Sequence, residues 1–147
     1  MFAYNSRLDT LQAVVADHLL DKRLSATTEG RINHANYFDK HMANVDGVTI
    51  PKREEYIVQV YHLYCIQVEN RDALQAYLIK AGIDAKVHYP VPMHLQPAAA
   101  EYGYKVGDFP VCERMANHTL SLPVHEFITE QDQEYIVAKI KEFYAKS

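Results

Sequence analysis

Apolar residues near the start of the chain recur every three or four positions, which is the spacing of an amphipathic helix. The stripe that they form consists of Leu8, Leu11, Val15 and Leu19, widened by Val14, Leu20 and Leu24. Ser6 and Asp9 have the spacing of a capping box, in which the side chains satisfy the free backbone amides of a helix start. The pattern therefore predicts a helix that begins at about Arg7.

The helical pattern weakens further on and then resumes. Residues 25–30 contain weaker helix formers, and a second apolar stripe runs over residues 31–45. We expect one long helix that bends between the two stripes and is ended by Asp46 and Gly47. Residues 48–51 then read as a short extended piece with a proline that an edge position tolerates.

The middle of the chain predicts a strand, a helix and a second strand. Residues 56–68 are β-branched and aromatic and alternate in polarity, which is typical of a central strand. Asn70 is placed to cap a helix, and Gly82 is placed to end it. Residues 83–88 are extended again in this interpretation.

The last third predicts two short helices, a strand and a longer helix. The short helices lie over residues 98–102 and 110–117, and the strand lies over residues 119–122. Thr129 and Asp132 form a capping box for a last amphipathic helix. The expected fold class is therefore α/β (α+β), a small, mainly antiparallel sheet with helices packed on it, preceded by a long N-terminal helix.

Size and charge exclude several classes of function. The chain has 147 residues, of which 48% are hydrophobic, and this suits one domain with a real core. Fifteen basic and 19 acidic side chains give a net charge of −4 without a basic patch, so nucleic acid is not an expected partner. The sequence has no leader-like apolar run and no membrane-length apolar window, so we expect a cytoplasmic protein without a membrane partner.

The cysteines and histidines do not form a metal-binding pattern. Cys65 and Cys112 lie outside any Cys-x-x-Cys motif, and we expect both to be reduced packing residues. His88 and His94 flank two prolines without helical spacing, and no further ligand completes a set, so no metal site is predicted. His62 has apolar neighbours and is interpreted as a core or interface histidine.

Residues 87–97 hold two histidines, a tyrosine and three prolines in one short turn. Because proline fixes its own φ and pushes the preceding residue toward extended geometry, Tyr89 and Val91 are held out of the helical region. Imidazole and phenol groups both donate and accept hydrogen bonds and present an apolar body to a sugar ring. From the residues alone, His88 and Tyr89 are either structural or part of a binding site.

The residues before the first helix are a candidate anion site. The free amides of a helix start attract anions, and Asn5 and Arg7 add an amide and a guanidinium there. A cation in the first helical turn opposes the helix dipole, and one reason to place Arg7 there is a bound anion. An ordinary cap with a solvated arginine remains the other interpretation.

Taken together, several motifs resemble the C-terminal part of pyridoxal phosphate (PLP)-dependent sugar-nucleotide aminotransferases of the DegT/StrS family, whose fold is that of fold-type-I aminotransferases. The resemblance covers nearly the whole chain. The motifs that carry it lie at residues 5–9, 61–64, 70–72, 87–97, 102–104, 107–114 and 120–123.

The resemblance implies roles for four residues. A residue matching Asn5 reaches the PLP phosphate of the neighbouring subunit of a dimer, and one matching Arg7 lies on the substrate side. His88 and Tyr89 match a pair that lines the sugar-nucleotide site. The family usually has glycine where this chain has Ala3, which is a local departure from its pattern.

The resemblance also implies a larger N-terminal cofactor domain that these residues do not include. That domain would carry the Schiff-base lysine and the acid that faces the pyridine nitrogen. Lys86 is the only lysine near the candidate site, and we interpret it as a solvent-exposed lysine at a strand end. Residues 1–46 would link to the cofactor domain, and residues 47–147 would form the small C-terminal domain.

The resemblance predicts an enzyme that uses PLP to transfer an amino group, with glutamate as the expected donor, to a keto-sugar nucleotide. The isolated chain is expected to bind no cofactor, to be inactive, and to self-associate through apolar surface that the cofactor domain covers. The alternative is a stand-alone, non-catalytic binding or oligomerisation module derived from the family. A PLP-dependent dehydratase is a third possibility.

Overall fold

A computed structural model describes residues 8–146. Its first element is a helix, α1, which runs without interruption over Thr10–Met42 and contains 33 residues. The prediction of one long N-terminal helix is confirmed. Within residues 8–146, none of the helices combines the length and the apolar character that a membrane crossing requires.

The start of α1 differs from the prediction. Asp9 is the N-cap residue, and its side chain accepts a hydrogen bond from the backbone N–H of Gln12 at 2.9 Å. The helix therefore begins at Thr10 rather than at Arg7, because Asp9 itself provides the cap that the sequence analysis assigned to Ser6. The predicted Ser6 cap lies outside the described residues.

The end of α1 also comes earlier than expected, at Met42 instead of Asp46 and Gly47. The backbone N–H of Val45 donates to the carbonyl of Met42 at 3.1 Å, a bond that spans three residues and tightens the chain into a turn. Gly47 follows with a φ of 78° and directs the chain into the sheet.

The described part of the chain contains a three-stranded antiparallel sheet in the order β1–β2–β3. Its strands are β1 (Val48–Thr49), β2 (Tyr64–Val68) and β3 (Thr119–Leu122). The central strand β2 alternates between buried and half-buried residues, so one face of the sheet is covered by the core. The predicted small antiparallel sheet and the predicted strand over residues 119–122 are confirmed.

The strand predicted over residues 56–68 is wrong for its first eight residues. Tyr64 pairs with Leu122 at the end of the β2–β3 ladder. The residue that follows Leu122 is Pro123, which has no backbone N–H with which to extend the ladder. Tyr61 has a φ of 50°, which turns the backbone out of strand geometry. Residues 56–60 keep the composition of a strand but lie largely in solvent, with Val58 82% exposed.

The second strand of the predicted strand–helix–strand unit is also wrong. Lys86 and Ser121 exchange two backbone hydrogen bonds, of 3.0 and 2.8 Å, in an isolated antiparallel bridge. The ladder does not continue, because the N–H of Ala85 turns back to the carbonyl of Ile83 at 2.9 Å. Residues 83–88 therefore touch the edge of β3 at one point.

The remaining helices follow the predictions closely. They are α2 (Arg71–Lys80), α3 (Pro110–His118), α4 (Glu130–Ala145) and a short 3₁₀ segment at Pro97–Tyr102. A further 3₁₀ segment at Met93–Leu95, within the proline-rich turn, was not predicted. The capping box of Thr129 and Asp132 is present at the start of α4. Asn70 precedes α2 as predicted, but with a φ of 50° and without a side-chain cap to the described amides.

The core lies between the covered face of the sheet and helices α1, α2 and α4. Only the last third of α1 enters it, through Ala35, Phe38 and Met42. The Tyr64 hydroxyl donates to Asp39 at 2.6 Å, and Arg53 forms two hydrogen bonds with the same carboxylate, of 3.0 and 3.1 Å. Burial and the Asp39 carboxylate raise the pKa of Tyr64. These bonds fix α1 on the sheet.

The first half of α1 makes no comparable contact within the described chain, and its large apolar residues, together with Leu8 just before the helix, lie in solvent. We call these seven residues the apolar stripe. Its members and their exposed fractions are Leu8 64%, Leu11 81%, Val14 64%, Val15 59%, Leu19 44%, Leu20 56% and Leu24 52%. The prediction that this helix exposes more apolar surface than the small core can cover is confirmed.

Candidate functional site

The proline-rich turn over residues 87–97 forms one wall of a groove with a volume of about 1080 Å³. The opposite wall is the start of α3, with Phe109, Val111 and Cys112, and Leu63 and Cys65 also line the groove. Most of the lining is apolar. His88 and Tyr89 also line the groove, so the structure brings together the two residues of this turn that the sequence singled out.

Tyr89 has an unusual backbone conformation. Its φ is 55°, in the left-handed region that non-glycine residues rarely adopt, although extended geometry was expected for a residue before proline. A conformation of this kind costs about 1–3 kcal/mol and persists only where the surrounding structure enforces it. The side chain is 79% exposed, so the groove presents the phenol to solvent and to any bound molecule. His88 beside it is half-buried.

The turn is anchored at its N-terminal end by the bridge between Lys86 and Ser121. The Lys86 ammonium lies 2.8 Å from Asp84, and both side chains are mostly exposed. The interpretation of Lys86 as a solvent-exposed lysine is therefore confirmed, although it precedes a turn rather than ending a strand.

The turn is anchored at its C-terminal end by a hydrogen bond between His94 and Glu113 that sequence reasoning missed. His94 Nε2 lies 3.1 Å from Glu113 Oε1, and only 7% and 16% of these side chains are exposed. The Glu113 carboxylate also accepts hydrogen bonds from the N–H groups of Gly107, at 2.8 and 3.0 Å, and Phe109, at 3.4 Å. The bonds from Gly107, then those from Phe109 and His94, lower the pKa of Glu113.

Aromatic rings pack around this hydrogen-bonded pair. The ring centroid of Phe109 lies 4.8 Å from that of His94 and 5.1 Å from that of Tyr104. These contacts shield the His94–Glu113 pair on the side of residues 104–109 and hold the loop before α3 against the turn. Residues 94 and 113 are 19 positions apart and belong to no periodic pattern, so the sequence contained no signal for their pairing.

Other predicted residues are placed as follows. Cys65 and Cys112 are both free thiols. Cys65 is half-buried, and its Sγ lies 3.3 Å from Ser121 Oγ. Cys112 is exposed and is therefore not a packing residue. His62 is exposed and is not a core histidine, because the observed strand β2 begins after it at Tyr64; the alternative interpretation, an interface histidine, stays a prediction. Among the described residues, no three His, Cys, Asp or Glu side chains are grouped as metal ligands would be.

The predicted anion site at the helix start lies outside the described residues, which do not include Asn5 or Arg7. The described part of α1 begins at Thr10. The argument that links Arg7 to a bound anion through the helix dipole stays a prediction. The predicted roles of Asn5 and Arg7 depend on the resemblance alone.

A second cavity, of about 540 Å³, lies on the other side of His88. Its cations are already paired. Arg31 donates to the carbonyls of Tyr61 and His62, at 3.1 and 3.2 Å, and lies 3.8 Å from Glu126. At this cavity, Arg31 therefore joins α1 to the loop after β3 and to the segment before β2.

Comparison with known proteins gives consistent matches over nearly the whole chain. The profile of the DegT/DnrJ/EryC1/StrS aminotransferase family matches residues 1–141. A protein described as a pleiotropic regulatory protein of Geobacillus stearothermophilus is 40% identical over 98% of this chain. A dTDP-3-amino-3,4,6-trideoxy-alpha-D-glucose transaminase of Streptomyces venezuelae is 32% identical over 95% of it.

The fold of the chain also matches solved structures of proteins from this aminotransferase family. The crystal structure of DesV from S. venezuelae, in complex with a ketimine intermediate, matches 95% of this chain with a TM-score of 0.89 and 32% identity. The chain spans 39% and 36% of the two relatives and 38% of the DesV chain. It therefore corresponds to less than two fifths of each of these proteins.

Proposed function

Because the chain belongs to the DegT/DnrJ/EryC1/StrS aminotransferase family, we propose that it is the C-terminal, substrate-contacting domain of a sugar-nucleotide aminotransferase. The whole enzyme would transfer an amino group, with glutamate as the donor, to a keto-sugar nucleotide in the cytoplasm. The observation that carries this proposal is the family match together with the position of His88 and Tyr89 at the groove.

The groove suits a sugar nucleotide better than it suits the cofactor. PLP, when bound, supplies an electron sink, and it needs a lysine for the Schiff base and an acid near its ring nitrogen. The described lining of the groove includes no lysine. Its one carboxylate, Asp108, accepts a hydrogen bond from the backbone N–H of Lys105 at 2.8 Å and so serves its own loop. These residues do not fit PLP, and no catalytic step is assigned to them.

His88 and Tyr89 would instead bind and orient the substrate. The exposed phenol and the half-buried imidazole can donate to or accept from hydroxyl and phosphate oxygens. The apolar wall behind them would exclude water from one side of the bound molecule. Asn5 would reach the PLP phosphate of a partner subunit, and Arg7 would contact the substrate.

The apolar stripe would be covered in the complete enzyme. Seven large aliphatic side chains, six on the first half of α1 and Leu8 just before it, form exposed apolar surface of a kind that soluble proteins seldom leave open. We assign its cover to the cofactor domain and expect the complete enzyme to be a homodimer. Without that domain, the chain is expected to associate with other copies of itself.

The proposal is tested by reduction in the presence of PLP. The purified chain is mixed with PLP, treated with borohydride and analysed by peptide mass spectrometry. Lysines that react only by exposure, such as Lys52 and Lys86, should be modified to a low and similar extent. A stoichiometric adduct at one lysine, Lys86 above all, would refute the assignment of the chain as a domain without cofactor chemistry.

A stand-alone binding or oligomerisation module is the second candidate, and the exposed apolar stripe favours it equally well. The two candidates are distinguished by the size distribution of the purified chain, measured by sedimentation velocity at several concentrations. A module should form a homogeneous oligomer of fixed size, whereas a separated domain should associate over a range of sizes that vary with concentration. The choice between transamination and dehydration would depend on residues of the cofactor domain.

A further inference from the structure

The turn that carries His88 and Tyr89 is held to the rest of the domain at its two ends. At one end, the Lys86–Ser121 bridge ties it to β3. At the other end, His94 is the side chain that joins it to α3, through Glu113. Between these anchors the backbone passes through Tyr89 in a left-handed conformation.

We infer that Glu113, acting through His94, is a positioning residue that holds Tyr89 and His88 in the geometry required for substrate contact. The inference deepens the proposed function, because it concerns the same two residues. It rests on that proposal for the assignment of His88 and Tyr89 to substrate contact. Glu113 itself lies behind the turn and is assigned no contact with any ligand.

The chemistry of the contact supports this role. An ionised carboxylate only accepts hydrogen bonds, so His94 Nε2 carries the proton in its bond to Glu113. Hydrogen bonds to a charged acceptor are roughly twice as strong as neutral ones. Glu113 collects such bonds from His94, Gly107 and Phe109, and it thereby fastens the turn and the loop before α3 to one point on the helix.

The path from His94 back to Tyr89 is short and stiff. Pro90 and Pro92 fix two of the intervening φ angles. The N–H of Leu95 donates to the carbonyl of Pro92 at 2.9 Å, and the Gln96 side chain donates to the carbonyl of Val91 at 3.4 Å. A displacement of His94 would therefore be passed to Tyr89 rather than absorbed between them.

A purely structural role makes a different prediction. If Glu113 only closes the loop at residues 107–109, its loss should free the amides of Gly107 and Phe109 and leave Tyr89 unchanged. If Glu113 positions the turn, its loss should also release Tyr89 from the strained left-handed conformation, because non-glycine residues relax toward negative φ when nothing holds them.

The experiment compares Glu113→Ala and Glu113→Gln with a matched control, Glu142→Gln. Glu142 is also a carboxylate paired with basic side chains, Lys139 and Lys146, but it lies on α4 away from the groove. Nuclear magnetic resonance reports the φ of Tyr89 through its backbone coupling constant and α- and β-carbon shifts. Hydrogen exchange of Leu120 and Ile140, both fully buried, reports whether each variant is folded.

In wild type and in the Glu142 variant, Tyr89 should show the signature of positive φ. In Glu113→Ala it should move to negative φ, and the amides of Leu95 and Gln96 should exchange at least about tenfold faster. Glu113→Gln keeps one acceptor oxygen and should fall between these limits. If Glu113→Ala does not fold, the φ of Tyr89 is measured in Glu113→Gln and His94→Gln instead, and it should shift toward negative values in both.

An unchanged Tyr89 signature in folded Glu113 and His94 variants would overturn the inference, whatever happens to thermal stability. None of these readouts requires a ligand. Failure of the proposed function would appear separately, as the absence of any response of wild-type His88 and Tyr89 to either dTDP or UDP.

Discussion

The ring of Tyr144 on α4 lies directly against Gly47, so that a Cβ atom at residue 47 would meet ring atom Cε1 at 2.5 Å. The Tyr144 hydroxyl donates to the carbonyl of Glu69 at 2.6 Å, and the N–H of Glu69 donates to the carbonyl of Gly47 at 2.8 Å. The end of α1, the end of β2 and the last helix therefore meet at one glycine.

Gly47→Ala should destabilise the domain more than any comparable glycine substitution at a turn. The left-handed φ of 78° costs about 1–2 kcal/mol for alanine, and the clash with Tyr144 adds about 1–3 kcal/mol. Gly82→Ala is the matched control, since Gly82 has a φ of 81° but open space around its Cα. Denaturant unfolding should give about 2–5 kcal/mol for the first and about 1–2 kcal/mol for the second; equal losses would contradict the contact with Tyr144.

Charges placed on the apolar stripe should reduce self-association without lowering stability. Leu11 and Val15 are 81% and 59% exposed, so Leu11→Glu with Val15→Glu removes no core contact. Sedimentation velocity should show a shift toward monomer. The matched control Leu11→Met with Val15→Met changes the same two positions but keeps them apolar and uncharged, and it should leave the size distribution unchanged. Persistence of the oligomer in the first variant would exclude the stripe as the contact surface.

His34 should make the domain less stable in mild acid. Its Nδ1 accepts a hydrogen bond from Gln133 at 2.6 Å, and burial, with His125 nearby, lowers its pKa. The unfolded chain therefore binds a proton below about pH 6.5 before the folded chain does, so stability falls as the pH decreases through that value.

The check for His34 is the pH dependence of the free energy of unfolding. His34→Gln should flatten the slope below about pH 6.5, and His18→Gln, on the exposed half of α1, should not. The difference between the two profiles isolates His34 from the other histidines. A slope that is the same in both variants would contradict a lowered pKa.

The parts of the fold that the sequence predicted are those governed by local rules. The capping box of Thr129 and Asp132, Gly82 after α2 and Pro110 at the start of α3 each depend on neighbouring residues only, and each lies where expected. The apolar pattern of α1 also gave its length within a few residues. Its ends were misplaced because Asp9 and Val45 make bonds that compete with the predicted caps.

The errors arose where a distant partner decides the outcome. Residues 56–60 have strand composition, but β3 ends at Leu122 before Pro123 and offers them no partner. The pairing of His94 with Glu113 joins residues 19 positions apart, and the positive φ of Tyr89 departs from the extended geometry expected before a proline. For the candidate site, the sequence therefore singled out two residues that line the groove, His88 and Tyr89, and missed the His94–Glu113 contact at the end of their turn.

The central claim, that this domain contacts a sugar-nucleotide substrate through His88 and Tyr89, is tested most directly by titrating the isotope-labelled chain with dTDP and, separately, with UDP. The account predicts saturable shifts of the His88 imidazole and Tyr89 ring signals with at least one of the two nucleotides, abolished in His88→Ala, with His18 signals on the exposed half of α1 unchanged. Shifts that avoid both groove residues, or a spectrum unaffected by either nucleotide, would contradict it.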